Sequence, residues 1–226
     1  MRRISVFIAM MALVFNVHAA DDWANFGRYA KSNQEVKALP QNQRKAVFMG
    51  NSITDNWASR RQSFFQENGY VGRGIGGQTT YQMVLRFYED VICLHPKAVV
   101  INGGTNDIAQ NNHNYVEDRT FQNIVTMAQM AKAHGIKVIL TSITPVEQYV
   151  WRKEITDVPA KIKSLNARIR EYAKKNKFQY VDYWTPMANE RGGMRDGLSE
   201  DGCHPTPEGY DIMEPLVKAA IMKVAK

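Results

Sequence analysis

The sequence predicts an α/β domain whose parallel sheet is covered by helices on both faces. Three observations carry that expectation. Strand-like runs alternate with segments of helical periodicity along most of the chain. Several of those runs are apolar throughout, namely Val47-Phe48-Met49, Ala98-Val99-Val100-Ile101 and Val138-Ile139-Leu140, as strands buried on both faces must be. Stretches rich in Gly, Asn and Asp follow the first three strands, where turns onto the next element are needed. At 226 residues the chain can build one domain with a sizeable core, and it shows no internal repeat, linker or low-complexity segment.

Residues 1–20 read as a secretory signal peptide. Arg2 and Arg3 form a positive start, Ile4 to Val17 is nearly all apolar, and His18-Ala19-Ala20 or Val17-His18-Ala19 supplies the small residue before a cut ahead of Asp21-Asp22. The apolar run is shorter than the ~20 residues that cross a bilayer. No cysteine stands at the cut to take a lipid. The mature protein is therefore expected in the periplasm or outside the cell, without stable membrane insertion.

Residues 21–45 are expected to form a helical extension packed on the domain, because Trp23, Phe26, Tyr29 and Ala30 fall at helical spacing and Pro40 ends the run. The main domain is residues 46–226. Its first strand is Ala46 to Met49, followed by a helix from Trp57 to Gln66 that Asn68-Gly69 stops. Tyr70-Val71 is a short second strand, Gly72 to Thr80 a glycine-rich loop, and Tyr81 to Cys93 a helix. Lys97 to Asn102 is the third strand, with Gly103 to Asp107 the loop after it. Phe121, Ile124, Ala128 and Ala131 give the helix from Val116 to His134 its apolar stripe, and Gly135 ends it. Ile136 to Ile143 is a β-branched fourth strand, and Pro145 to Asp157 is irregular. Val158, Ile162, Leu165, Ile169 and Tyr172 mark an amphipathic helix. Phe178 to Val181 is the fifth strand, Asp182 to Gly202 a long loop with room for a helical turn, and Pro207 to Val224 the last helix, with proline where helices begin.

The net charge of +7 comes from scattered basic residues such as Arg60-Arg61, Lys161, Lys163 and Lys174-Lys175, which read as solvated helix faces. Nucleic acid is not an expected partner. Cys93 and Cys203 can pair in an oxidising compartment or remain free thiols, and spacing does not choose between the two.

The first strand runs into Gly50-Asn51-Ser52, which places a serine hydroxyl on the loop at the strand's C-terminal end, the edge where open α/β sheets bind ligands. A serine is a weak nucleophile alone and needs a base, an orienting acid and oxyanion donors. Asp201-Gly202-Cys203-His204 offers the first two. A carboxylate three residues before a histidine can hold one ring nitrogen and leave the other free to take a proton. Of the other histidines, His18 leaves with the signal peptide, His95 and His134 precede strands, and His113 lies in a polar loop. Gly77, Asn106 and the Ser52 amide are the candidate oxyanion donors. Each also has a plainer reading: Ser52 as a helix cap, Gly77 and Asn106 as turn residues, Asp201 as a turn carboxylate.

The four stretches together resemble the SGNH hydrolases, the GDSL-like esterase and lipase family. Gly50-Asn51-Ser52-Ile53-Thr54 is similar to the nucleophile block, Gly74-Ile75-Gly76-Gly77-Gln78-Thr79-Thr80 to the glycine block, Gly103-Gly104-Thr105-Asn106-Asp107 to the Gly-x-Asn block and Asp201-Gly202-Cys203-His204-Pro205 to the Asp-x-x-His block. They occur in order and span most of the mature chain. The resemblance implies a flavodoxin-like three-layer α/β/α sandwich with a five-stranded parallel sheet. It also implies Ser52 as nucleophile, His204 as base, Asp201 as the residue orienting it, and the Ser52 amide, Gly77 and Asn106 as the oxyanion hole, with no cofactor and no metal. Asn51 departs from the Asp of the family's short name, a residue that is not the triad acid.

Two other readings compete. Gly72-x-Gly74-x-x-Gly77 matches a dinucleotide-binding fingerprint, but no acidic residue closes a strand about twenty positions on. A glycan-binding module could keep the fold without chemistry, though it would have no use for both Ser52 and His204. The expected substrate is a short acyl ester, O-acetyl first, on a carbohydrate or small molecule. A lysophospholipid or an acyl thioester is the alternative. Trp57, Tyr81, Tyr149, Trp151 and Trp184 are candidates for a sugar-stacking rim, with core packing as the competing role.

Overall fold

Along β1 (Ala46–Gly50) successive side chains enter opposite cores. Val47 and Met49 join one apolar cluster, Ala46 and Phe48 the other, and all five residues of the strand are buried. That double burial is what the unbroken apolar run required. The computed structural model describes residues 22–225, so the signal peptide expected at residues 1–20 lies outside the described residues.

The sheet has five parallel strands in the order β2-β1-β3-β4-β5, with β2 Tyr70–Gly74, β3 Ala98–Ile101, β4 Lys137–Thr141 and β5 Gln179–Val181. Helices α4 (Thr80–Asp90), α6 (Glu117–Ala133) and α7 (Val158–Asn176) cover one face through Met83, Phe87, Ile124, Ala128, Leu165 and Ile169. The other face is covered by α2 (Ser52–Arg60), α3 (Gln62–Asn68) and α9 (Pro207–Val224). There Phe48, Trp57, Phe64, Phe65 and Tyr210 form a continuous aromatic cluster, with Trp57 stacked on Tyr210 at 5.3 Å. Short α1 (Ala30–Ala38), α5 (Thr105–Ile108) and α8 (Trp184–Met187) complete the named helices. This is the three-layer flavodoxin-like arrangement. Its strand order reverses between β1 and β3, so the loops leaving those strands diverge and open a crevice at the C-terminal edge.

Local chemistry sets where the elements begin and end. Asn51 caps α2 by accepting the Ile53 amide at 3.1 Å. Gly69 ends α3 at φ +67°, a conformation that favours glycine. Thr206 caps α9, accepting from the Gly209 amide at 3.2 Å, with Pro207 in the first helical position.

The structure corrects several boundaries. The helix expected from Trp57 to Gln66 begins at Ser52 and breaks at Arg61, whose side chain is drawn across to Asp211 and Glu214 of α9. Strand β2 runs on to Gly74, so Gly72 and Gly74 belong to a strand rather than a loop. A side chain at Gly72 would meet Ala58 Cβ at 2.3 Å, and one at Gly74 would meet the Asp55 amide nitrogen at 2.2 Å. These glycines let α2 press against the strand, and the dinucleotide reading loses its basis. Strands β3 and β4 are shorter at both ends than expected. The N-terminal extension contains a 3₁₀ turn (Phe26–Arg28) before α1, and Trp23 and Phe26 are exposed at 48% and 39% rather than packed. The one buried residue of α1 is polar, Asn33.

Candidate active site

Ser52 is the first residue of α2, where a backbone N–H has no partner within the helix and the helix dipole is positive. Its hydroxyl oxygen lies 2.9 Å from His204 Nε2. His204 Nδ1 lies 2.6 Å from Asp201 Oδ2. The three side chains thus form a hydrogen-bonded chain from the end of β1 to the loop before α9, across 152 residues of sequence. Capping of α2 falls to Asn51, so the serine hydroxyl is not spent on it.

Asp201 is held tightly in its ionised form. Burial pushes its carboxyl up, but the His204 amide, the His204 ring and the Cys203 amide outweigh it and bring the pKa down to about 2. Both amides donate to Oδ1, at 2.8 and 2.9 Å, and the Ser199 hydroxyl donates to the same oxygen at 3.2 Å. The turn is closed by Gly202 at φ +79°. Cys203 faces the opposite way, into the core. Both cysteines are free thiols, and burial, with Asp201 nearby, pushes the Cys203 thiol up to about 12.

The glycine loop passes over Ser52. A side chain at Gly76 would approach Ser52 Cβ at 3.9 Å, and Gly77, at φ +75°, is exposed with open space beside it. Asn106, in α5, is buried, and its Nδ2 donates to the Gln78 carbonyl at 2.9 Å. That bond ties the loop after β3 to the loop after β2 and uses one of the two amide hydrogens. Asp107 adds a second tie, accepting from the Thr80 amide at 2.9 Å and the Thr80 hydroxyl at 2.6 Å. Ser52 at the start of α2, Gly77 in the loop after β2 and Asn106 in α5 therefore stand at one sheet edge, and His204 bridges Ser52 and Asp201.

Arg86 has no counterpart in the sequence reading. It is fully buried and joins the end of β1, strand β2 and the glycine loop to its own helix. Nη2 donates to the Gly50 carbonyl at 2.9 Å, Nη1 to the Arg73 carbonyl at 3.0 Å and to Asp90 at 2.8 Å, and Nε to the Gln78 side chain at 2.5 Å. Burial pulls its pKa down while Asp90 opposes that shift.

Most of the expected aromatic rim is not exposed. Trp57 and Tyr149 are core residues, exposed at 2% and 0%. Tyr81 packs against His113, and Trp184 borders the α7 core. Trp151 alone of the five is exposed, at 39%, with its indole stacked 6.1 Å from the His204 ring. Its Nε1 donates to Asn111 Oδ1 at 3.2 Å, and Asn111 Nδ2 donates to the Gly77 carbonyl at 3.3 Å. His204 and Asp201 also line a polar cleft of about 170 Å³, with Asn56, Arg60, Glu200 and Thr206 among its other walls. Among the described residues no group of three or more His, Cys, Asp or Glu side chains converges as a metal site would require, and no helix is long and apolar enough to cross a membrane.

Comparison with known proteins gives a consistent picture. Residues 48–212 match the model of the GDSL-like Lipase/Acylhydrolase family. The crystal structure of a GDSL-like lipase from Bacteroides thetaiotaomicron VPI-5482 is 54% identical, covers 88% of this chain and 98% of that one, and superposes with a TM-score of 0.85. An uncharacterized lipoprotein of Bacillus subtilis (strain 168) is 30% identical over 63% of this chain and 69% of its own length. An acetylxylan esterase of Xylanibacter ruminicola is 24% identical, and the alignment takes in 92% of this chain but 52% of that longer protein.

Proposed function

The chain belongs to the GDSL-like lipase/acylhydrolase family, and from that premise we propose that it is an exported serine esterase removing short acyl groups, acetyl first, from carbohydrates. The observation that carries the reading is the chain of contacts from Ser52 Oγ through His204 to Asp201. In it Ser52 is the nucleophile. His204 Nε2 takes the hydroxyl proton as Oγ attacks the ester carbonyl, and Asp201 keeps Nδ1 protonated and the ring in place. The tetrahedral oxyanion is met by the Ser52 and Gly77 amides and by the Asn106 side chain. His204 then gives its proton to the leaving alcohol oxygen, which departs and leaves an acyl-Ser52 ester. A water molecule, deprotonated by His204, attacks that ester, and the carboxylic acid leaves as Ser52 recovers its proton.

Two features support a carbohydrate leaving group. The exposed indole of Trp151 beside His204 offers a flat apolar surface to a sugar ring. The cleft that His204 lines also carries amide, hydroxyl and charged groups that suit hydroxyl-rich ligands better than a long acyl chain. The acetylxylan esterase relative points the same way. Export rests on the leader at residues 1–20.

Hydrolysis of p-nitrophenyl acetate, butyrate and octanoate, beside acetylated xylooligosaccharides, tests the proposal. The expected profile falls steeply from acetate to octanoate, with acetate released from the oligosaccharide. Preference for octanoate would move the protein to the lipid or thioester branch of its family.

A further inference from the structure

Residues 23–38 precede the region matched by the family model, which begins at residue 48. Yet hydrogen bonds tie them repeatedly to the glycine loop, to β2 and to both ends of α4. Gln78, in the glycine loop, donates to the Ala24 carbonyl at 2.8 Å. Gln82 donates to the Trp23 carbonyl at 2.7 Å. The Tyr29 hydroxyl donates to the Gly74 carbonyl, and the Tyr29 ring lies 4.6 Å from the Arg73 guanidinium carbon. Asn33 accepts from Arg73 Nε at 2.8 Å and donates to Asp90 at 2.7 Å.

These contacts end on groups that set the site. Gly74 lies so close to the first turn of α2 that a Cβ there would be 2.6 Å from the Asn51 carbonyl oxygen. A shift of Gly74 must therefore move Ser52 or open a gap beneath it. Gln78 carries the carbonyl that holds Asn106 and follows Gly77 directly. Arg73 and Asp90 belong to the same buried network as Arg86. The segment's apolar burial is limited to Ala24 and the partly buried Val36, since Trp23 and Phe26 are exposed and the one fully buried residue of α1 is Asn33. Directed hydrogen bonds dominate the attachment, and such bonds fix position as well as add stability.

We propose that the segment from Trp23 to Ala38 is a brace that sets the position of the glycine loop and, through Gly74, of the nucleophile turn, with Tyr29 and Asn33 as positioning residues. The proposal rests on the esterase reading of Ser52 and Gly77. The brace acts on the acyl-transfer transition state, because a displaced oxyanion donor weakens binding of the tetrahedral species more than of the planar ester.

The test uses the mature chain and Tyr29→Phe, Asn33→Ala and the control Lys37→Ala, which lies on the exposed side of α1. Each is assayed for kcat and KM on p-nitrophenyl acetate, inhibition by a small boronic acid that mimics the tetrahedral species, and Tm, at a temperature where all are folded. For Tyr29→Phe we expect kcat to fall about tenfold and boronate affinity by the same factor, with KM within about twofold of wild type. Asn33→Ala should follow in the same direction, and Lys37→Ala should match wild type. A lower Tm with unchanged kcat and boronate affinity would reduce the brace to a stability element and overturn the proposal. Wild-type protein whose Ser52 fails to react with a fluorophosphonate probe would instead defeat the esterase reading, and the brace with it. Reactive Ser52 with unaltered variants defeats the brace alone.

Discussion

Asp201 holds His204 at two points of the same residue. Oδ2 meets ring Nδ1 at 2.6 Å, while Oδ1 accepts the His204 main-chain N–H at 2.8 Å. The carboxylate therefore fixes both the backbone turn that delivers the imidazole and the rotation of the ring. With Nδ1 committed, Nε2 is the nitrogen left to face Ser52 Oγ, at 2.9 Å. A three-residue spacing suffices because Gly202, at φ +79°, closes the turn.

This double hold predicts two effects of Asp201→Asn. Activity should fall by up to about 10⁴-fold in kcat, because the amide no longer favours the imidazolium or its orientation, while Oδ1 can still accept from the backbone. An unchanged kcat would remove Asp201 from the orienting role.

The second effect concerns acid. The Asp201 carboxyl titrates at about 2 in the folded chain against an ordinary value of 3.8, so the folded form binds its proton less readily than the unfolded form. Its contribution to stability is present above pH 3.8 and is lost as pH falls toward 2. Asn does not titrate, so the Tm gap between wild type and Asp201→Asn should be constant near neutrality and narrow on acidification. A gap that widens in acid would contradict the assignment.

Asn106→Ala should lower kcat by about 10²–10³ with little change in KM, the pattern of a group that acts on the tetrahedral species. Steady-state kinetics on p-nitrophenyl acetate at one pH measure it. A rise in KM with kcat preserved would instead make Asn106 a substrate-binding residue.

Arg86→Met should destabilise the fold by about 3–5 kcal/mol, because it strands the Asp90 carboxylate and removes the charged donor shared by the carbonyls of Gly50 and Arg73. Urea unfolding gives the number. Adding Asp90→Asn should recover part of the loss, since the uncompensated charge is then gone. A single variant within about 0.5 kcal/mol of wild type would show that the network contributes little.

The sequence carried the sheet legibly, because strands buried on both faces leave little choice but continuous apolar residues, and Val47 to Met49 and Ala98 to Ile101 had no other reading. Helix starts were harder. Asn51 as cap of α2 was hidden inside a stretch read for its serine, so the helix was expected five residues late. Gly72 and Gly74 were misread because a glycine that makes room for a packed helix looks identical in sequence to one that makes a turn. Trp57 and Tyr149 were ambiguous for the same kind of reason, since an aromatic on a core face and one on a rim share the same letters. Arg86 was invisible. The Arg86–Asp90 spacing of four is plain in the sequence, but such pairs ordinarily lie in solvent, and only the fold shows this one sealed beneath the site loops. The candidate site lay in four short stretches that were legible as a set. What the sequence did not contain was their mutual distances, which depend on the crossover between β1 and β3.

Ser52→Ala, assayed on p-nitrophenyl acetate and treated in parallel with a fluorophosphonate probe followed by intact-mass measurement, tests the role of Ser52 most directly. Wild type is expected to turn over the ester and gain the mass of one phosphonyl group, while the variant folds normally, gains none and loses turnover by at least about a thousandfold. A variant that keeps a near wild-type rate, or a probe adduct that persists without Ser52, would contradict that role.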